Sequence, residues 1–130
     1  SDGWVPIIRY AEILLNKAEA LVKSTNTVNA DAITLLNQVH QRSEPGKVYE
    51  TSDFANATAL LNEIMTERRR ELAFEGHSSF DLFRNEKGIP AGRGGASVPE
   101  MTYPDNYFAL PIPNGDVEKA KGVLEQNKGY

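Results

Sequence analysis

Apolar residues recur at a helical spacing from the opening of the chain. Ile7, Ile8, Ala11, Leu14, Leu15, Ala18, Leu21 and Val22 follow the i, i+3, i+4, i+7 pattern of a helix with one face turned to a core. Pro6 suits the first turn of such a helix, where no backbone donor is lost, so the spacing predicts a helix from about Pro6 to Lys23. The polar stretch from Ser24 to Asn29 breaks the period, and Asn29 can accept the free N–H groups of a second helix carrying Ala32, Leu35, Leu36 and Val39. The two form a helical hairpin about as long as one tetratricopeptide repeat, with Ala11, Ala18 and Ala20 as small residues where helices approach. Glu44-Pro45-Gly46 ends the hairpin.

A third helix is predicted from a cap at Ser52 or Asp53 to about Glu75, its stripe running through Ala57, Leu60, Leu61, Ile64, Met65 and Leu72. Gly76 interrupts it, and Phe80, Leu82 and Phe83 suggest a short further helix to Arg84, with His77, Ser78 and Ser79 at its start. From Asn85 to Asn106 there is no apolar period, only four glycines (Gly88, Gly92, Gly94, Gly95) and three prolines (Pro90, Pro99, Pro104). This reads as a long irregular loop, open to proteolysis first near Arg93. Tyr107-Phe108-Ala109-Leu110-Pro111-Ile112-Pro113 reads as an extended segment, because each proline denies a ladder hydrogen bond, and Asn114-Gly115 turns into a short acidic helix near Asp116. The pattern is therefore all-α: helical hairpins with tetratricopeptide-like packing, a long irregular loop and an extended C-terminal segment.

Length and charge narrow the function classes. With 130 residues and 40% hydrophobic content, the chain can build one modest core. A net charge of −4 argues against a nucleic-acid binder, which gathers Lys and Arg on one face. The absence of cysteine excludes disulfides, thiolate metal sites and cysteine nucleophiles. No apolar run approaches the roughly 20 residues of a membrane helix, so the chain as given reads as soluble.

Charged residues on the core-facing arc of the third helix are the strongest local signal. At about 100° per residue, Arg68 and Glu75 project with Leu61, Met65 and Leu72, and a buried guanidinium needs a partner. Glu71 and Glu75 on the same helix and Glu12 and Glu19 on the first are the candidates. Two carboxylates on one face also admit a glycosidase-type acid/base pair, but as partners of arginines Glu12 and Glu19 would stay ionised and lack a general acid's raised pKa. His40 and His77 are far apart and in no metal-binding spacing, so neither metal nor cofactor is expected. Gly92-Arg93-Gly94-Gly95 has no preceding strand or following GK[ST], and reads as linker. Trp4, Tyr103 and Tyr107 are weak candidates for stacking on sugar rings.

Several segments together resemble the SusD/RagB family. Ile8-Arg9-Tyr10-Ala11-Glu12-Ile13-Leu14-Leu15 followed by Ala18-Glu19-Ala20 is similar to that family's RYAEvlL-x-x-AEA helix, and Leu36-Asn37-Gln38-Val39 with Arg42 to its LNxVRxR helix. The most specific stretch runs from Glu67 through Arg68-Arg69-Arg70-Glu71-Leu72-Ala73-Phe74-Glu75-Gly76-His77 to Phe80-Asp81-Leu82 and Arg84. Leu110-Pro111-Ile112-Pro113 and the closing Gln126-Asn127-Lys128-Gly129-Tyr130 resemble the family's LPIP and QNPGY. His40 stands where arginine is usual, Ser78-Ser79 replace Arg-Trp, and Lys128 replaces proline.

The resemblance implies that residues 1–130 are the C-terminal domain of a longer nutrient-binding outer-membrane lipoprotein. Such a parent would bind oligosaccharide or another nutrient without transforming it, beside a SusC-like TonB-dependent transporter, anchored only by a lipid that this chain does not carry. The matched motifs lie on scaffold helices and at the chain end, so no glycan-contacting residue carries over. A stand-alone helical interaction module and, more remotely, a carboxylate-based glycosidase are the alternatives.

Overall fold

The computed structural model of the chain describes residues 7–92 and 99–130. Trp4, Pro6, Arg93, Gly94 and Gly95, with the readings placed on them, lie outside the described residues. Helices α1 (Tyr10–Thr25), α2 (Ala30–His40), α3 (Ala57–Glu71), α4 (His77–Phe83) and α5 (Asn114–Lys119) follow one another, with 3₁₀ turns at Thr51–Asp53 and Asn106–Phe108. The chain divides into two compact units, residues 1–78 and 79–130.

In the first unit, α1 and α2 form the expected hairpin and both pack on α3. Leu15, Val22, Leu36, Val39, Leu60 and Ile64 are its fully buried centre. Each such side chain contributes roughly 1.5–3 kcal/mol by leaving water. The turn between α1 and α2 is made locally. Asn26 takes the left-handed conformation at φ 51°, which asparagine tolerates, and its N–H returns 2.8 Å to the Val22 carbonyl. Asn29 then caps α2 by accepting the Ala32 N–H at 3.0 Å, as its position predicts.

Helix α3 differs from expectation at both ends. Its cap is Asn56, which accepts the Ala59 N–H at 2.9 Å, not Ser52 or Asp53. Those two residues belong to a separate 3₁₀ turn, where Asp53 accepts the Glu50 N–H at 2.8 Å. At the other end the helix stops at Glu71, four residues before Glu75, as Phe74 and Gly76 take positive φ of 66° and 82°. The buried stripe is correspondingly Leu60, Ile64, Glu67 and Arg68, with Leu61 and Met65 only partly covered. Glu75 lies past the helix end, where helical angles no longer place it, and it is exposed.

In the second unit, Asp81 is the one described residue that is buried. Arg84 binds it through Nη2 at 2.7 Å and Nε at 3.0 Å. The long loop is pinned at its foot by an isolated antiparallel bridge, Ile89 N–H to Met101 O at 2.8 Å and Met101 N–H to Ile89 O at 3.0 Å. Gly88 permits this approach, because a Cβ there would lie 2.1 Å from the Met101 carbonyl oxygen. Tyr107 and Phe108, expected to be extended, lie instead in the Asn106–Phe108 turn, where Asp105 accepts the Tyr107 N–H at 2.8 Å; from there the chain runs extended to Pro113 and enters α5 at Asn114 as expected.

Candidate functional site

In the first unit, the motif residues Arg9, Arg42, Glu67 and Glu71 converge on the last two turns of α3. Arg9, at the N-cap of α1, reaches the end of that helix with its whole guanidinium. Nη1 donates to Glu71 Oε1 at 2.8 Å, Nη2 to the Glu71 carbonyl at 2.6 Å and to Glu75 Oε1 at 2.7 Å, and Nε to Glu75 Oε2 at 3.1 Å. The carbonyl it takes is one that the helix end leaves without an intrahelical partner. Glu75 and Glu71 together raise the Arg9 pKa and hold it charged. Arg42, just past α2, joins the same carboxylate at 3.2 Å. Glu71 thereby ties α1, the exit of α2 and the end of α3 at one point.

One turn earlier the ties are buried. Glu67 is 2% exposed and its Oε2 lies 3.0 Å from Nδ1 of His40, also 2% exposed. Arg70 approaches the same oxygen at 3.4 Å and Glu63 at 3.2 Å, and Glu63 accepts the Tyr49 hydroxyl at 2.8 Å. Burial first, then the bond to Glu63, pushes the Tyr49 phenol above its ordinary value of 10.0. The segment holding Tyr49 is seized through its backbone. Asn37 of α2 donates to the Tyr49 carbonyl and accepts its N–H, both at 2.9 Å.

The sequence-derived network residues lie as follows. Arg68 is buried at 3% exposure and donates Nη1 to Asn16 Oδ1 of α1. Glu19, also buried, accepts Lys23 at 2.8 Å, and Glu12 faces His77 at 3.7 Å. Glu71 and Glu75 meet Arg9 as described. Sequence reasoning named Arg9, Arg42, His40 and Glu67 as motif positions without giving them partners, and did not name Asn16. Glu67 was legible in principle, since it follows Leu60 and Ile64 at i+7 and i+3 on one stripe.

Of the aromatic candidates, Tyr103 and Tyr107 sit in the second unit, while Trp4 lies outside the described residues. Tyr103 stacks on Phe108 with ring centroids 5.6 Å apart, and Tyr107 meets Tyr130 edge-on at 5.2 Å. Beside them an open depression of about 580 Å³ is lined by Pro111, Ile112, Pro113, Asn114, Gln126 and Tyr130. The Gln126 amide is committed to Ile112, accepting its N–H at 2.8 Å and donating to its carbonyl at 2.7 Å, while Asn127 donates to the Leu110 carbonyl at 2.6 Å. The chain-end motif thus grips the Leu110-Pro111-Ile112-Pro113 motif by its backbone.

This arrangement is a helical scaffold fastened by side chains, and its fold is that of the SusD superfamily. A SusD superfamily protein from Parabacteroides distasonis superposes with a TM-score of 0.72 at 27% identity, over 95% of this chain and 27% of that one. A SusD homologue from Bacteroides thetaiotaomicron, 21% identical, shares the fold with a TM-score of 0.65. The all-α architecture with tetratricopeptide-like packing is thereby established. The sequence model of the SusD family matches residues 1–130, and the chain belongs to that family. It is 28% identical over its full length to SusD-like protein P2 of Formosa agariphila. It is 26% identical over 99% of its length to the starch-binding protein SusD of Bacteroides thetaiotaomicron. The chain spans 26% and 22% of the lengths of these two relatives.

Proposed function

We propose that residues 1–130 are the C-terminal scaffold region of a longer SusD-like outer-membrane lipoprotein. The parent binds a glycan or other nutrient without transforming it and works with a SusC-like TonB-dependent transporter, anchored at the outer membrane by a lipid outside this chain. The observation that carries the reading is the family match over the entire chain, joined by the starch-binding name of one relative. The geometry agrees with scaffolding. The matched polar motifs are spent on helix ends, backbone carbonyls and one another, and Glu12 and Glu19 face an imidazole and a lysine rather than an open cleft. A glycosidase needs its two carboxyl groups flanking a bound sugar.

The test uses the parent-length protein. Calorimetry with a panel of oligosaccharides should give saturable heat for at least one, chromatography should return that glycan uncleaved, and a TonB-dependent transporter should co-purify. The 130-residue chain by itself should give no saturable heat. Cleavage of the bound glycan, or tight binding by the short chain alone, would overturn the assignment.

A further inference from the structure

His40 is buried at 2% exposure, yet the scaffold uses only one of its two ring nitrogens. Nδ1 lies 3.0 Å from Oε2 of the buried Glu67. A carboxylate oxygen accepts, so Nδ1 carries the hydrogen and Nε2 keeps a bare lone pair. Among the described residues Nε2 has no hydrogen-bond partner, although Glu44 Oε2 stands 3.3 Å away. An unprotonated nitrogen and a carboxylate oxygen are both acceptors, and neither satisfies the other. The backbone nonetheless fixes them side by side. Glu44 follows His40 by one helical turn, and its N–H returns 3.0 Å to the His40 carbonyl, which also takes the Ser43 N–H and hydroxyl at 3.1 Å each. Pro45 has no N–H with which to carry the helix further. Tyr49 packs on the imidazole with ring centroids 4.8 Å apart and helps to hold its plane.

We propose that His40 Nε2 and Glu44 Oε2 are two ligands of a divalent ion of the zinc class, with Glu67 as the carboxylate that orients the histidine. Two observations carry this beyond the bare pair. Ligands about 2.0–2.2 Å from an ion at tetrahedral angles lie about 3.3–3.5 Å apart. The two atoms stand at 3.3 Å with no hydrogen bond to account for it. A ligating histidine also donates its other ring N–H to a carboxylate, which fixes the tautomer and the ring, and Glu67 stands in that relation to Nδ1. Imidazole nitrogen with carboxylate oxygen suits zinc and its neighbours, whereas magnesium and calcium favour oxygen alone. Two side chains are what the protein offers, since no three His, Cys, Asp or Glu gather as a ligand set among the described residues. Glu44 is 62% exposed, so water completes the coordination. Of the cations in this neighbourhood, Lys47 stands over the Tyr49 ring at 4.7 Å and Arg70 serves Glu63 and Glu67. The ion ties the exit of α2 to its last turn and, through Glu67, to α3. Sequence spacing pairs no two histidines, and this pair is instead a histidine and the glutamate one turn on.

The probe is zinc chloride, added to the parent-length protein after treatment with a chelator. Calorimetry should show a saturable site that Glu44→Gln weakens by about ten-fold or more. His40→Asn should weaken it as much, because it removes Nε2 while leaving an amide to donate to Glu67. Saturating zinc should raise the thermal midpoint of the wild type and leave that of both variants in place. Anomalous scattering from crystals grown with zinc should put the ion about 2.0–2.2 Å from His40 Nε2 and Glu44 Oε2. No saturable heat at millimolar zinc, or equal heat in the wild type and Glu44→Gln, would overturn the proposal. Zinc density confined to other residues would do the same. Magnesium competing as well as zinc would overturn the assigned class of ion. Should His40→Asn fail to fold, Glu44→Gln decides, since its side chain is largely in solvent. Glycan binding is a separate readout, so the functional reading stands or falls independently of this site.

Discussion

Asn37 and Gln126 do the same thing in two different surroundings. Each carboxamide donates to one residue's carbonyl and accepts its N–H, imitating a rung of a β-ladder, Asn37 for Tyr49 and Gln126 for Ile112. In the first unit the rung sits beside a closed apolar core of three helices, with Tyr49 itself buried. In the second, where Asp81 is the one described residue that is buried, side-chain-to-backbone bonds, a bridge at Ile89 and Met101 and ring contacts do most of the holding. A hydrogen bond made next to water contributes about 0.5–1.5 kcal/mol, whereas an unmade one in a core costs the full desolvation of the group left behind. Equal geometry should therefore have unequal consequences in the two units.

The largest difference is expected for buried charge. Arg68→Ala removes a guanidinium that is 3% exposed and should cost roughly 3–5 kcal/mol by stranding the groups it serves, read as a drop in the urea midpoint. Arg70→Ala, at a side chain 56% exposed, should cost about 0–1 kcal/mol, because Glu67 keeps His40. Equal small losses would show that α3 is not locked by its buried arginine. We extend the proposal for Arg68 to a carboxylate partner among Glu12, Glu19, Glu71 and Glu75, which a double-mutant cycle with each would detect.

Next in size is the apolar core. Leu36→Ala, at a fully buried position, should cost about 2–5 kcal/mol in the same assay, while Leu110→Ala in the exposed segment of the second unit should be nearly silent. A comparable loss at Leu110 would mean that the second unit owns a core after all. The two carboxamides come third. Asn37→Ala should lower the unfolding free energy by about 1–3 kcal/mol, read as a lower urea midpoint, whereas Gln126→Ala should mainly speed amide exchange at Ile112 and leave that midpoint in place.

The smallest effect is alkaline. Burial and Glu63 raise the Tyr49 phenol above 10.0, so the unfolded chain loses this proton first as pH rises. Its contribution to stability is complete below about pH 10 and is lost as pH climbs through the higher folded value. Ultraviolet titration should show one tyrosine ionising late, and Tyr49→Phe should remove that late step. A titration in which all tyrosines ionise together would place Tyr49 in solvent.

Helices and their caps were legible where the signal is local. Asn29 is both the first capping residue after a polar break and the cap that forms, and the prolines of Leu110-Pro111-Ile112-Pro113 dictate an extended run. Ambiguity entered where several residues share a chemistry. Between Ser52 and Asn56 more than one side chain can cap a helix, and Asn56 does so because residues 51–53 form their own turn. Period alone carried α3 to Glu75, yet the helix ends at Glu71, where Arg9 from far earlier in the chain takes the Glu71 carbonyl.

What the sequence by itself determined is therefore the all-α class, the α1–α2 hairpin and the family, because these rest on spacing, caps and contiguous motifs. Only the tertiary structure decided that Arg68 meets Asn16, that His40 faces Glu67 across 27 positions, and that Glu71 collects two arginines. The physical reason is that a charged residue on a stripe declares a need for a partner without naming it. Distance in space, not along the chain, selects among the groups that could meet that need.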